Sequence, residues 1–236
     1  MDLSRFQTST QAKSASYDLG LRDFMIGVYN NMFIGILITG FVGFFISTSP
    51  ALLNAIHGTG LRYVIMLAPF AIIIMFSAKM ATASYSTLRG MFWLYASLMG
   101  AMLSYIFIAY TGASIVRTLF ITASMFGAMS LYGYTTKKDL TSIGSFLFMG
   151  LIGIVIMSLV NLFMQSSAVH YMISFVAIII FTGLTAHHTQ SLKATYYQLG
   201  GTSEMAKKAG ISGALSLYMN FLNIFIHLLQ FIGDRR

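Results

Sequence analysis

A chain of 236 residues that is 57% hydrophobic and 8% charged, with a mean hydropathy of +0.77, cannot clothe itself in a water-compatible surface. The complete lack of cysteine excludes disulfides, thiolate metal sites and a cysteine nucleophile. Its net charge of +8 points to topology and anionic headgroups before nucleic acid, because the basic residues are spread over many loops rather than gathered on one face.

Residues 1–27 read as a polar N-terminal tail. They interleave Ser, Thr and Gln with Arg5, Lys13, Arg22, Asp2, Asp18 and Asp23, and hold no apolar core of a cleavable signal. Residues 28–236 then read as one seven-helix transmembrane domain, with spans at 28–47, 63–76, 92–110, 115–134, 143–163, 171–189 and 213–232. Most approach the roughly 20 residues that a helix needs to cross hydrocarbon. The second is short, and is expected to lengthen to Ser84 if Lys79 snorkels. Lipid offers no hydrogen bonds to bare backbone, so the fold class is all-α, a polytopic membrane helix bundle. Seven spans leave no room for a separate soluble catalytic domain.

Charge sets the expected orientation. With the N-terminus cytoplasmic, the inner segments hold Arg5, Lys13, Arg22, Lys79, Arg89, Lys137, Lys138, Lys193, Lys207 and Lys208, and the outer ones only Arg62, Arg117, Arg235 and Arg236. The terminal arginine pair leaves two endings open, a seventh helix that crosses fully and one that does not. Within the spans, Pro69 removes a backbone donor and predicts a kink. Ala96, Gly100 and Ser104 in the third span, and Ala123 with Gly127 and Ser124 with Ala128 in the fourth, form small faces suited to close helix approach.

The strongest internal pattern lies in the seventh span. Ser212, Ser216, Asn220, Asn223, His227 and Gln230 follow at steps of four, four, three, four and three, which makes one helix face polar throughout. Such a face is costly in lipid, so it predicts a central seventh helix. Thr185, His188 and Thr189 gather similarly near the end of the sixth span. The candidate polar seam or gate is therefore Thr185, His188, Ser216, Asn220, Asn223 and His227, as interhelical glue or as a permeation path.

The six carboxylates Asp2, Asp18, Asp23, Asp139, Glu204 and Asp234 all fall in tails or loops, which removes the usual buried group of a cation carrier. Paired catalytic acids, HExxH and phosphate-loop motifs are missing, so the chain reads as no enzyme and calls for no cofactor. His187 and His188 point about 100° apart, unlike an i, i+4 metal pair. His57 and His170 add no ligand set.

The stretch from Gly133 to Leu140 (GYTTKKDL), followed by Gly144 to Gly150 (GSFLFMG), resembles the Bax inhibitor-1 family in its bacterial YccA-like branch. Similar segments occur at 107–117, with Tyr110 to Ala113, at 186–190, and at Gly213 to Tyr218. The resemblance implies two three-helix layers around the last helix. It also implies carboxylates in the sixth and seventh helices, at the positions of His188 and Asn220, as a pH gate for calcium. Both acids are absent here: Asn220 cannot titrate, and His188 becomes positive on acidification. The expected role is thus a regulator in the bacterial inner membrane whose partners are the lipid bilayer and a membrane-bound ATP-dependent protease. The alternative is a leak for calcium or another cation without the acid pair.

Overall fold

The computed structural model describes residues 3–201 and 203–236, residues 3–18 by their backbone alone. Asp2 of the expected polar tail lies outside the described residues, as do the side chains of Arg5, Lys13 and Asp18. The elements in chain order are α1 (Leu3–Ser47), α2 (Pro50–His57), α3 (Leu61–Lys79), α4 (Tyr85–Leu103), α5 (Ile106–Ala109), α6 (Gly112–Thr135), α7 (Thr141–Met164), α8 (Ser167–Gln198) and α9 (Glu204–Ile232). Seven stretches are long and apolar enough to cross a membrane: part of α1, α3, α4 with α5, α6, α7, α8 and α9. The protein is an all-helical transmembrane bundle.

Local chemistry explains where the helices begin and end. In α1 the packed face starts ahead of Val28, because Leu21, Met25, Val28 and Met32 recur at steps of four, three and four and are all buried. The charges of Arg22 and Asp23 mask this face from any reading by mean hydropathy. The extension of the second span to Ser84 does not occur. α3 stops at Lys79 and gains its length at the Leu61 end, while Ser84 accepts a hydrogen bond from Thr87 N and caps α4 instead. α3 continues through Pro69, whose side chain is buried. The third span, expected as one helix, is interrupted where the Ser104 hydroxyl donates to Ala101 O at 2.7 Å and bonds His57 Nε2 at 2.8 Å.

Two groups of three surround α9. α1, α3 and α4 share one apolar cluster with its N-terminal half, and α7 and α8 share a second with its C-terminal part. α9 packs against α8, α1, α6 and α4, while α3 leans on α4 and α7 on α8. Half of the α9 membrane window is buried, against 11% for α3 and α7, so the last helix is the centre and those two form the flanks. The Ala96–Gly100–Ser104 face packs as expected: a Cβ on Gly100 would sit 2.7 Å from Thr39 O of α1. The α6 small face does not, since Ala123, Ser124, Gly127 and Ala128 are exposed. α6 instead buries Ser114, Thr118, Thr122, Phe126 and Ser130, at uniform steps of four.

α9 crosses the full bundle. Near its start Lys208 Nζ donates to Ala81 O at 3.4 Å, in the turn before α4. Beyond its end Thr111 N donates to Asp234 O at 3.1 Å, Arg236 N donates to Ala109 O at 3.0 Å, and Arg117 pairs with Asp234 at 3.0 Å. These anchors lie at opposite ends of the α4–α5 span. The C-terminus therefore sits on the face opposite the 136–140 loop. On the positive-inside expectation, residues 137 and 138 would face the cytoplasm and residue 170 the outside. Because the chain has no native cysteine, Lys137→Cys and His170→Cys are clean probes. An impermeant maleimide on intact cells is expected to label position 170 and spare 137; the reverse pattern would overturn the orientation.

Candidate functional site

Of the α9 polar stripe Asn220 is buried and Ser212, Ser216, Asn223, His227 and Gln230 are half-buried; the stripe splits into two clusters against α8. Toward the α9 N-terminus a cleft of about 220 Å³ opens between α8 and α9, lined by His188, Ser191, Thr195, Ser212 and Ser216, with Met80 from the α3–α4 turn. One turn deeper than Ser216, Asn220 is 3% exposed and its Nδ2 donates to His188 Nδ1 at 3.0 Å. An amide nitrogen cannot accept, so this bond assigns the ring as its neutral Nε2–H tautomer. The two positions that the family resemblance links thus face each other, and they meet through an uncharged hydrogen bond.

Thr185 and Thr189 are fully buried beside this pair, but their protons are committed to the helix. Thr185 donates to Phe181 O and Thr189 to Thr185 O, each at 2.8 Å. Ser130 of α6 lies 3.1 Å from Thr189 Oγ1, and the Tyr29 hydroxyl of α1 bonds Ser130 in turn. With the Thr189 proton already engaged, Ser130 must donate to Thr189 and Tyr29 to Ser130. A directed chain of hydroxyls therefore links α1, α6 and α8. Sequence reasoning missed Tyr29 and Ser130; the signal available was the row of hydroxyl residues at steps of four along α6.

The second cluster lies nearer the opposite face. Ser174 of α8 donates to Gln230 Oε1 at 3.1 Å, so His227 Nδ1, 3.4 Å from the same serine, is the donor there. The His227 ring stacks on Phe181 with centroids 6.4 Å apart. Asn223 turns back on its own helix and donates to Met219 O at 2.8 Å. No hydrogen bond among the described residues joins these groups to the His188–Asn220 pair. Of the predicted seam, the fold unites His188 with Asn220 and Ser216, places Thr185 beside them, and sets Asn223 and His227 apart.

His187 turns toward α7, as adjacency on a helix requires. A Cβ on Gly144 would lie 2.4 Å from its Nδ1, a buried atom that has no partner. The described carboxylates Asp23, Asp139, Glu204 and Asp234 are all exposed, and no group of three or more metal-binding side chains occurs among the described residues. The loop between α6 and α7 is held against α8 by Gln190, whose Nε2 donates to Lys138 O at 2.7 Å and whose Oε1 accepts from Leu140 N at 2.8 Å. In that loop the Thr141 hydroxyl and amide both donate to Asp139, which holds its carboxyl below the usual carboxylate range.

A charge at Asn220 would have no carboxylate to pair with inside the bundle. Asn220→Lys is expected to destabilise the fold by roughly 3–5 kcal/mol, whereas Phe163→Leu, on a side chain 89% exposed, should stay within roughly ±0.5 kcal/mol. Thermal aggregation in detergent reads the difference. Equal midpoints would contradict the buried seam.

Comparison with known proteins decides the family. The family model described as "Inhibitor of apoptosis-promoting Bax1" matches residues 21–236. The chain belongs to the Bax inhibitor-1 family. It is 43% identical over 228 residues to uncharacterized protein RP147 of Rickettsia prowazekii, covering 97% of this chain and 96% of that protein. It is 43% identical over 220 residues to inner membrane protein YbhL of Escherichia coli K12, covering 92% and 94%. A protein of Caulobacter vibrioides is 42% identical over 230 residues, covering 94% and 92%. For this Bax inhibitor-1 family chain, the two places where the resemblance implies a titrating acid pair carry His188 and Asn220.

Proposed function

We propose that this Bax inhibitor-1 family protein is a non-enzymatic integral protein of the bacterial inner membrane that regulates other membrane proteins by contact, with a membrane-bound ATP-dependent protease as its partner. The observation that carries this reading is the hydrogen-bonded His188–Asn220 pair. It is an uncharged contact where the resemblance implies an acid pair, whereas a shared proton between two acids depends on like charges that raise one pKa. A leak of that type loses its proton-sharing acid pair, and contact with partners is the family role that needs none. The name of the Escherichia coli relative supports the inner membrane as the location. The broad apolar flanks of α3 and α7 leave room for neighbours in the lipid plane.

Crosslinking in native membranes, followed by identification of copurifying proteins, tests the proposal. A membrane-bound ATP-dependent protease is the expected capture. A cation leak is the second reading, and the polar cleft reaching His188 is what favours it. Purified protein in calcium-loaded liposomes separates the two, since a leak needs no partner. Flux from the protein alone, with no protease captured, would replace the first reading by the second.

A further inference from the structure

The wall of the bundle is open between α1 and α6. These two helices make no extended contact, and a groove of about 990 Å³ runs between them. Leu19 and Ile26 of α1 and Phe126 and Leu131 of α6 form apolar walls. The Tyr29–Ser130 hydrogen bond bridges the two walls partway along the groove. Arg22 and Tyr134 stand at the mouth, about 10 Å from Tyr29 along α1 at 1.5 Å per residue. The volume falls within the range of sites that enclose small molecules, about 300–1,000 Å³.

The rim carries positive charge. Arg22 is exposed and has no hydrogen bond or ion pair with any described residue. Its neighbour Asp23 lines a different cavity, on the α9 side, with Glu204 and Lys207. Lys193 of α8 sits behind Tyr134, donating to its carbonyl at 2.9 Å and lying 5.2 Å from its ring centroid. An open apolar groove beneath a cationic rim at the end of a membrane span complements a molecule with an aliphatic tail and an anionic head. Guanidinium also matches phosphate oxygens in a bidentate way that water does not offer.

We propose that the α1–α6 groove binds one anionic phospholipid, with its phosphate at Arg22 and an acyl chain running past Ile26 and Leu131, over the Tyr29–Ser130 bond and on toward Phe126. The tail then passes against the hydroxyl chain that leads to Thr189 and α8. An occupant of this groove touches the candidate site from behind. The assignment is independent of which partner the protein regulates.

Two glycines make the test selective. A Cβ added at Gly127, which lines the groove, meets no atom within 4 Å, and the same holds at Gly153 on the exposed side of α7. Gly127→Trp fills the groove; Gly153→Trp adds the same bulk elsewhere. Full-length protein, stripped of lipid in detergent, is titrated with phosphatidylglycerol and with phosphatidylcholine of the same chain length, and retained lipid is counted by native mass spectrometry. Wild type should retain one phosphatidylglycerol in preference to phosphatidylcholine. Arg22→Gln should reduce that preference by roughly fivefold, the effect of about one cationic contact. Gly127→Trp should abolish retention while Gly153→Trp leaves it intact. Equal retention of both lipids by wild type overturns the proposal, and so does a preference that survives Arg22→Gln. If Gly127→Trp fails to fold, Arg22→Gln still decides the matter, because its side chain lies outside the packed core.

Discussion

Gly133→Ala is expected to lower the stability of the bundle by roughly 3 kcal/mol or more, and Gly133→Leu to prevent assembly. An added Cβ at this position would lie 2.2 Å from Ala186 O and 2.8 Å from both Ala186 C and Cα. All three are backbone atoms, so no side chain can rotate aside and α6 must separate from α8. Without a hydrophobic force between helices in lipid, that close packing is itself a main source of their association. The separation would also pull Ser130 away from Thr189, one turn along the same face. Gly127→Ala is the matched control, since nothing lies within 4 Å of its Cβ; it should stay within roughly ±0.5 kcal/mol. Aggregation midpoints in detergent measure both. A Gly133→Ala protein that melts with the wild type would show that the α6–α8 contact is not as close as described.

Replacing His188 and Asn220 together by Asp is expected to convert a protein with little calcium flux into one with flux that changes between about pH 5 and 8. The present pair is 3.0 Å apart, so two carboxylates at these positions would be forced to share a proton. They would also supply hard oxygen ligands at the inner end of the polar cleft. Either single substitution should do less, because one acid has no partner whose charge raises its pKa. Dye-loaded liposomes read the flux. Robust pH-dependent flux by the unsubstituted chain would instead make the cation leak the leading function. A silent double variant would mean that the second cluster, with Ser174 and His227, stays closed whatever happens at residue 188.

The spans could be read from sequence because length and apolarity are imposed by the bilayer rather than by neighbours. The central place of α9 is expected from its polar face, yet the burial falls mainly on apolar residues such as Ile211, Leu217, Tyr218 and Ile224, and of the six polar residues only Asn220 is buried. Other features turn on pairs of residues, which one sequence does not connect. Gly133 stands in a GYTT segment that reads as a helix end, and its contact with Ala186 exists only once α6 meets α8. The small residues at 123, 124, 127 and 128 satisfy the size rule for packing and still face outward, since size permits approach without choosing a direction. Ser104 interrupts its span from within an apolar run, and its partner His57 is 47 residues away. The seam divides in the same way. Its spacing along α9 is regular, but Asn220 meets His188 while His227 meets Ser174, a choice made by α8.

The helix at the centre of this bundle is synthesised after the six spans that pack around it. Until Glu204 and the residues after it emerge, α1, α4, α6 and α8 have no common element to close upon, and the buried hydroxyls of Thr118, Thr122 and Thr185 lack their final neighbour. The two three-helix groups must wait in the membrane with a vacancy between them, in a state whose polar surfaces invite the wrong associations. Arrival of α9 fills that vacancy and fastens itself at both ends, to Ala81 on one face and to Ala109 and Thr111 on the other. Assembly is therefore gated by the synthesis of α9, and a chain cut short before it is left as two halves with no keystone.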